Sequence, residues 1–190
     1  MKTTAGFFAH CILVLTAGFI SPCPAADTSV TDWSKAPLGE VRKAADGGDA
    51  TAQRYLGYCC AAGRKVDKDL FAAVSWYRKA AGRGDAFSQV ELGLCYRDGR
   101  GVARDDAEAV RWFRKAAEQG DAEGQARLGV CCRDGRGVAR NPAEAVKWFR
   151  EAAEQGDAAA QKYLGLCYRD GIGVAKNPAE AAKWLYDAAD

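Results

Sequence analysis

The chain repeats itself every 36 residues, four times in succession. Leu56-Gly57, Leu92-Gly93, Leu128-Gly129 and Leu164-Gly165 keep this step, as do Gly48-Asp49-Ala50, Gly84-Asp85-Ala86, Gly120-Asp121-Ala122 and Gly156-Asp157-Ala158. Trp76, Trp112, Trp148 and Trp184 keep it too. A fixed period of roughly 20 to 50 residues implies a stack of like supersecondary units, none able to bury its apolar face without a neighbour. Function is therefore expected on an extended surface.

Each unit reads as two helices. In the second unit Ala109, Trp112, Phe113, Ala116 and Ala117 recur at i, i+3, i+4, i+7 and i+8, which places one apolar stripe along a helix. Asn141-Pro142-Ala143-Glu144 and Asn177-Pro178-Ala179-Glu180 mark the start of this helix with a capping Asn, a proline at the first helical position and a Glu that can reach back; Asp105-Asp106-Ala107-Glu108 does so without proline. Gly120 or Gly156 ends it, and the following Asp caps the next helix at once. The other helix carries Leu92, Gly93, Cys95 and Tyr96 on one side and stops at Gly99. A glycine inside a helix costs about 1 kcal/mol relative to alanine, so Gly57, Gly93, Gly129 and Gly165 predict close helix approach.

These residues resemble the Sel-one-like repeat family, a relative of tetratricopeptide repeats, whose pattern runs G-D-A-x-A-Q-x-x-L-G-x-x-Y-x-x-G-x-G-V and then A-x-x-W-Y-x-K-A-A. The resemblance covers Ala44 to Asp190. It implies an all-α fold, a right-handed α-α superhelix of four helix-turn-helix repeats, expected at 44–79, 80–115, 116–151 and 152–190. The first unit departs by carrying Lys65 where Gly101, Gly137 and Gly173 stand in the others, and Ala72 in place of the capping Glu. The family tyrosine is replaced by Cys60 and Cys132.

The segment before the repeats is of another kind. Lys2, an apolar run from Phe7 to Ile20 and the small-residue stretch Ser21-Pro22-Cys23-Pro24-Ala25-Ala26 read as a signal peptide over 1–26. Fourteen residues reach about 21 Å as a helix, short of the ~30 Å hydrocarbon core, so cleavage near Ala26 is favoured over an uncleaved anchor or a lipid-modified Cys23. Export to the periplasm or beyond follows as an expectation, with no stable membrane span after cleavage. Residues 27–43 are expected to form a linker and a capping helix, since Leu38, Val41, Ala44 and Ala45 have helical spacing. Loss of Lys2 from 27 basic residues leaves 26 against 25 acidic ones, an excess too small to neutralise phosphates, so nucleic acid is not an expected partner.

Six cysteines remain after cleavage. Cys59, Cys95, Cys131 and Cys167 hold one repeat position, and equivalent helices in a stack lie about 8–10 Å apart, beyond the ~7 Å reach of a disulfide between α-carbons. Buried reduced thiols are thus favoured over a bridge, for which Cys60 and Cys132 are the candidates. The resemblance adds that cysteine-rich family members carry a bridge within each repeat between cysteines about eight residues apart, positions without cysteine here. No Cys-x-x-Cys spacing exists, and the single histidine, His10, lies in the signal, so neither a metal site nor a Ser-His or Cys-His pair is expected. No serine is followed three residues later by lysine. The chain reads as a non-enzyme without a cofactor.

Recognition remains. By resemblance the first helix of each unit lines the concave side, which offers Thr51, Arg54, Tyr58; Phe87, Val90, Leu94; Glu123, Ala126, Val130; and Ala159, Lys162, Leu166. The binding residues expected are Tyr58, Phe87, Val90, Leu94, Val130 and Leu166, beside a ladder of arginines, Arg97, Arg133 and Arg169. The partner implied is a protein or peptide, acidic and partly apolar. In the competing reading the strip belongs to the core and Arg97-Asp98, Arg133-Asp134 and Arg169-Asp170 neutralise one another. Some cysteine-rich exported relatives are linked to β-lactam binding and hydrolysis, an alternative this sequence supports only through its fold.

Overall fold

The structure is a computed structural model and describes residues 32–188. The expected signal peptide and its cleavage point lie outside the described residues. Those described form nine helices and no strand. Helix α1 (Leu38–Asp46) precedes four pairs: α2 (Ala50–Ala62) with α3 (Leu70–Gly82), α4 (Ala86–Asp98) with α5 (Asp106–Glu118), α6 (Ala122–Asp134) with α7 (Pro142–Glu154), and α8 (Ala158–Asp170) with α9 (Pro178–Asp187). Each helix packs chiefly on the one before and the one after it, an all-helical solenoid. None of the described helices is long and apolar enough to cross a membrane.

The pairs begin six residues later than the boundaries read from the sequence, at Ala50, Ala86, Ala122 and Ala158. The period fixes spacing but not phase; phase is set by the joint. There the carboxylates of Asp49, Asp85, Asp121 and Asp157 accept from the amides of Ala52, Ser88, Gly124 and Ala160, each capping the helix that follows. Those amides would otherwise have no partner in the first turn.

Why a glycine sits inside each first helix is plain from the packing. A methyl group added at Gly57, Gly93, Gly129 or Gly165 would come within 2.5 to 2.7 Å of Tyr77, Phe113, Phe149 or Leu185 on the paired helix. These large side chains fill the space that the glycines leave, and Tyr77, Phe113 and Phe149 are fully buried. Leu56, Leu92, Leu128 and Leu164 lie buried beside them. Burying one such side chain is worth about 1.5–3 kcal/mol, and the stack repeats the unit four times.

The first unit is held by a different device. At Gly101, Gly137 and Gly173 an added Cβ would collide with the carbonyl of Leu70, Asp106 or Pro142, the first residue of the preceding unit's second helix. Lys65 takes the same left-handed conformation, with φ of 60°. Among the described residues α1 with the segment 32–37 stands ahead of this unit, and the Lys65 ammonium donates 2.9 Å bonds to the carbonyls of Ser34 and Ala36. Those charge-assisted bonds offset a backbone cost of about 1 kcal/mol and tie down the segment leading into α1, whose Val41 and Ala45 cover Ala52 and Leu56.

A glutamine column runs along the joints. Gln53, Gln89, Gln125 and Gln161 donate to the carbonyls of Ala45, Ala81, Ala117 and Ala153. The Gln89 and Gln125 oxygens in turn accept from Gln119 and Gln155, at 2.7 and 2.8 Å. In the first unit Arg83 stands where those glutamines are, and Gln53 Oε1 is buried without a partner.

Candidate functional site

The first helices form the inner layer of the stack, where α4 touches α6 directly across the intervening second helix. Their outward side carries the side chains expected to face a groove. It opens into a pocket of about 240 Å³ centred on α6. Its floor is apolar, made by Ala109, Phe113, Ala126, Val130, Ala159 and Tyr163. Its rim is charged, with Glu123, Arg127 and Asp157 toward the start of α6 and α8, and Arg97, Asp106 and Arg136 toward the end of α4 and α6.

The strip expected from the sequence is broken up. Tyr58 and Phe87 stand exposed, covered in part by cations: the Arg64 guanidinium lies 5.5 Å from the Tyr58 ring, and Arg54 lies 5.6 Å from the Phe87 ring while bonding Asp85 at 3.1 Å. Val90 and Leu94, at 2% and 9% exposure, belong to the core and not to the contact surface. Val130 lines the pocket, and Leu166 is half-buried.

The arginines of the expected ladder are all ion-paired. Arg97, Arg133 and Arg169 each grip the next residue with two bonds: 2.7 and 3.0 Å to Asp98, 2.7 and 3.2 Å to Asp134, 2.8 and 3.0 Å to Asp170. The guanidinium bonds hold all three carboxyls below the usual carboxylate range. Arg133 further lies 5.0 Å from the Tyr163 ring. The second reading of these pairs is the one the structure shows, and the cations are not free.

Sequence reasoning missed the residues one place along: Tyr55, Glu91, Arg127 and Tyr163 hold equivalent positions, and the last two line the pocket. Two tyrosines, a glutamate and an arginine at one repeat position are the signal: a position that changes between aromatic and charged on an otherwise regular unit is not fixed by packing alone. Burial pushes the Glu91 carboxyl up, against the pull of Arg100. The six cysteines of the described residues are free and buried. Burial raises the thiols of Cys131, in the pocket wall, and Cys132 to about 11, so neither is a thiolate at neutral pH. Among the described residues no group of three or more His, Cys, Asp or Glu is placed to hold a metal ion.

With this geometry in hand, the comparisons decide the family. The Sel1 repeat model matches residues 50–85, 86–121, 122–157 and 158–190. The chain belongs to the Sel1 repeat family. Its Sel1 repeats are similar to those of a protective antigen of uropathogenic Escherichia coli described as having an SLR fold, with 42% identity and a TM-score of 0.79 over 81% of this chain and 33% of that one. They are also similar to a Sel1 repeat protein from Oxalobacter formigenes, with 35% identity and a TM-score of 0.76 over 80% of this chain and 61% of the other. This chain thus spans about a third of the first protein and three fifths of the second. Cysteine-rich protein B of Helicobacter pylori, 23% identical with a TM-score of 0.52 over 67% of this chain and 96% of its own, shares the fold alone. The comparison with curated proteins gives no match. Sel1 repeats generally mediate protein interactions and are generally non-catalytic scaffolds.

Proposed function

We propose that the protein is an exported interaction or scaffold module that holds a peptide or protein partner along its concave face and performs no chemistry itself. The observation that carries this reading is the inner face: a regular stack presenting variable side chains around an open, apolar-floored pocket. Concave surfaces of this kind are what solenoids use to bind extended partners. The near balance of charge in the chain and the ion-paired state of its arginines favour a protein over a polyanion. Export is supported by the charged start, the apolar run and the small-residue stretch of residues 1–26.

The test is site-specific photo-crosslinking in the producing cells. A crosslinking residue at Val130 or Ala159 on the inner helices should trap a partner, whereas one at Arg111 or Lys147 on the outer helices should not. Adducts confined to the outer positions would move the binding surface to the other face. Hydrolysis of a chromogenic β-lactam that a single substitution abolishes would replace the scaffold reading by an enzymatic one. A mature protein whose mass retains residues 1–26 would refute processed export.

A further inference from the structure

Because the backbone repeats, the inner face differs between units only through side-chain size and charge. Around the first two units it is filled: Phe87 projects there with the Arg54 guanidinium over its ring, and Val90 closes the space below. The residue equivalent to Val90 in the next unit is Ala126, and the one equivalent to Phe87 two units on is Ala159. Where those alanines stand the face opens into the pocket of about 240 Å³. That is below the roughly 300–1,000 Å³ of sites for drug-sized ligands, so it suits one side chain of a longer partner better than a cofactor.

The two ends of the pocket differ in charge. Helix dipoles leave about half a positive charge at the start of α6 and α8 and half a negative one at the end of α4 and α6, which offsets part of Asp157 and of Arg97. Arg97 is also tied to Asp98, and Arg127 to Glu123 at 2.8 Å. What survives is an acidic end, where Asp157 is the anion in excess of the Arg127–Glu123 pair, and a basic end, where Asp106 is held by Arg104 at 2.8 Å and Arg136 lies 3.9 Å from an Asp134 already gripped by Arg133. Along α6 the two ends are about 16 Å apart at 1.5 Å per residue. In an extended chain residues i, i+2 and i+4 point the same way, and the outer two are about 13 Å apart.

We propose that this pocket binds an extended peptide segment in which one aliphatic side chain enters the floor and is flanked, two residues away on either side, by one cationic and one anionic side chain. This rests on the groove reading above and specifies its occupant: bipolar, where the sequence alone suggested an acidic partner.

The test is titration of the purified protein with three end-blocked pentapeptides, Lys-Ala-Leu-Ala-Glu, Glu-Ala-Leu-Ala-Glu and Lys-Ala-Leu-Ala-Lys. The first should bind at least tenfold more tightly than either of the others. Ala159→Phe, at an exposed position that takes the bulk of unit two, should weaken that binding at least tenfold without loss of helical signal, and Ala126→Val should act in the same direction. Glu123→Lys should shift the preference to the doubly acidic peptide. Equal or tighter binding of a single-sign peptide by the native protein overturns the proposal, as does an Ala159→Phe variant with unchanged affinity. Failure of all three peptides overturns it as well, and inner-face crosslinks from Val130 would show that the groove reading survives that failure.

Discussion

Replacing Gly129 by alanine sets two effects of known size against each other. Alanine is the better helix former by about 1 kcal/mol in a helix interior, so on propensity alone Gly129→Ala should stabilise α6. The added methyl, however, would lie 2.6 Å from the Phe149 ring, which is wholly buried against α6. Ordinary carbon contacts start near 3.5–4.0 Å, so the ring or the helix must move by about 1 Å in a core packed at crystal-like density. Overpacking of that kind costs about 1–3 kcal/mol, and the cost here should be at the upper end because a whole aromatic ring is displaced, which leaves a net loss of about 1–2 kcal/mol. Gly39→Ala is the control: nothing lies within 4 Å of the added carbon in α1, and the substitution should stabilise by about 0.4–1 kcal/mol. Urea unfolding followed by circular dichroism reads both, and Gly129→Ala made in Phe149→Ala should cost less than Gly129→Ala alone. A Gly129→Ala protein as stable as the native one would refute the close-approach account of the repeated glycine.

Burial raises the Glu91 carboxyl, so its contribution to stability is fully present below the ordinary carboxylate range and is lost as pH rises through the raised value; Glu91→Gln should therefore flatten the stability profile above about pH 4.5 and stabilise the protein at neutral pH, as measured by urea titrations across pH. Arg83→Gln should supply the missing donor to Gln53 Oε1 and raise stability by about 0.5–1.5 kcal/mol; an unchanged unfolding midpoint would mean that this oxygen is already satisfied. With their thiols buried and those of Cys131 and Cys132 at about 11, the six cysteines outside the amino-terminal segment should react slowly with a thiol reagent at pH 8 in the folded protein and completely once it is denatured; mass spectrometry showing bridges would contradict this.

The helix pairs were legible because the period, the Gly-Asp joints and the Asn-Pro starts each specify local backbone, and Gly129 announced the approach of Phe149. Phase was harder. The period 36 is satisfied by any starting point, and only the cap bonds of Asp49 and its equivalents select Ala50 over Ala44. Of the candidate site less was legible: whether Leu94 lies in or out depends on a few degrees of helix rotation, and whether Arg97 is free depends on the rotamer that lets it turn back onto Asp98. The pocket itself arises from the smallness of Ala126 and Ala159, residues that in a single sequence look like any other helix alanine.

Lys65 bears on how such arrays are to be counted. At its position the unit tolerates nothing larger than glycine when the carbonyl opening an earlier second helix lies against it, as Leu70 does for Gly101. The glycine therefore records a predecessor and is not an intrinsic requirement of the unit that carries it. Where a long cation stands there instead, the array has a margin, and the side chain that marks the margin also seals it. A single position thus serves as punctuation in an otherwise uniform text, separating the opening unit from those that follow without any change in the helices themselves.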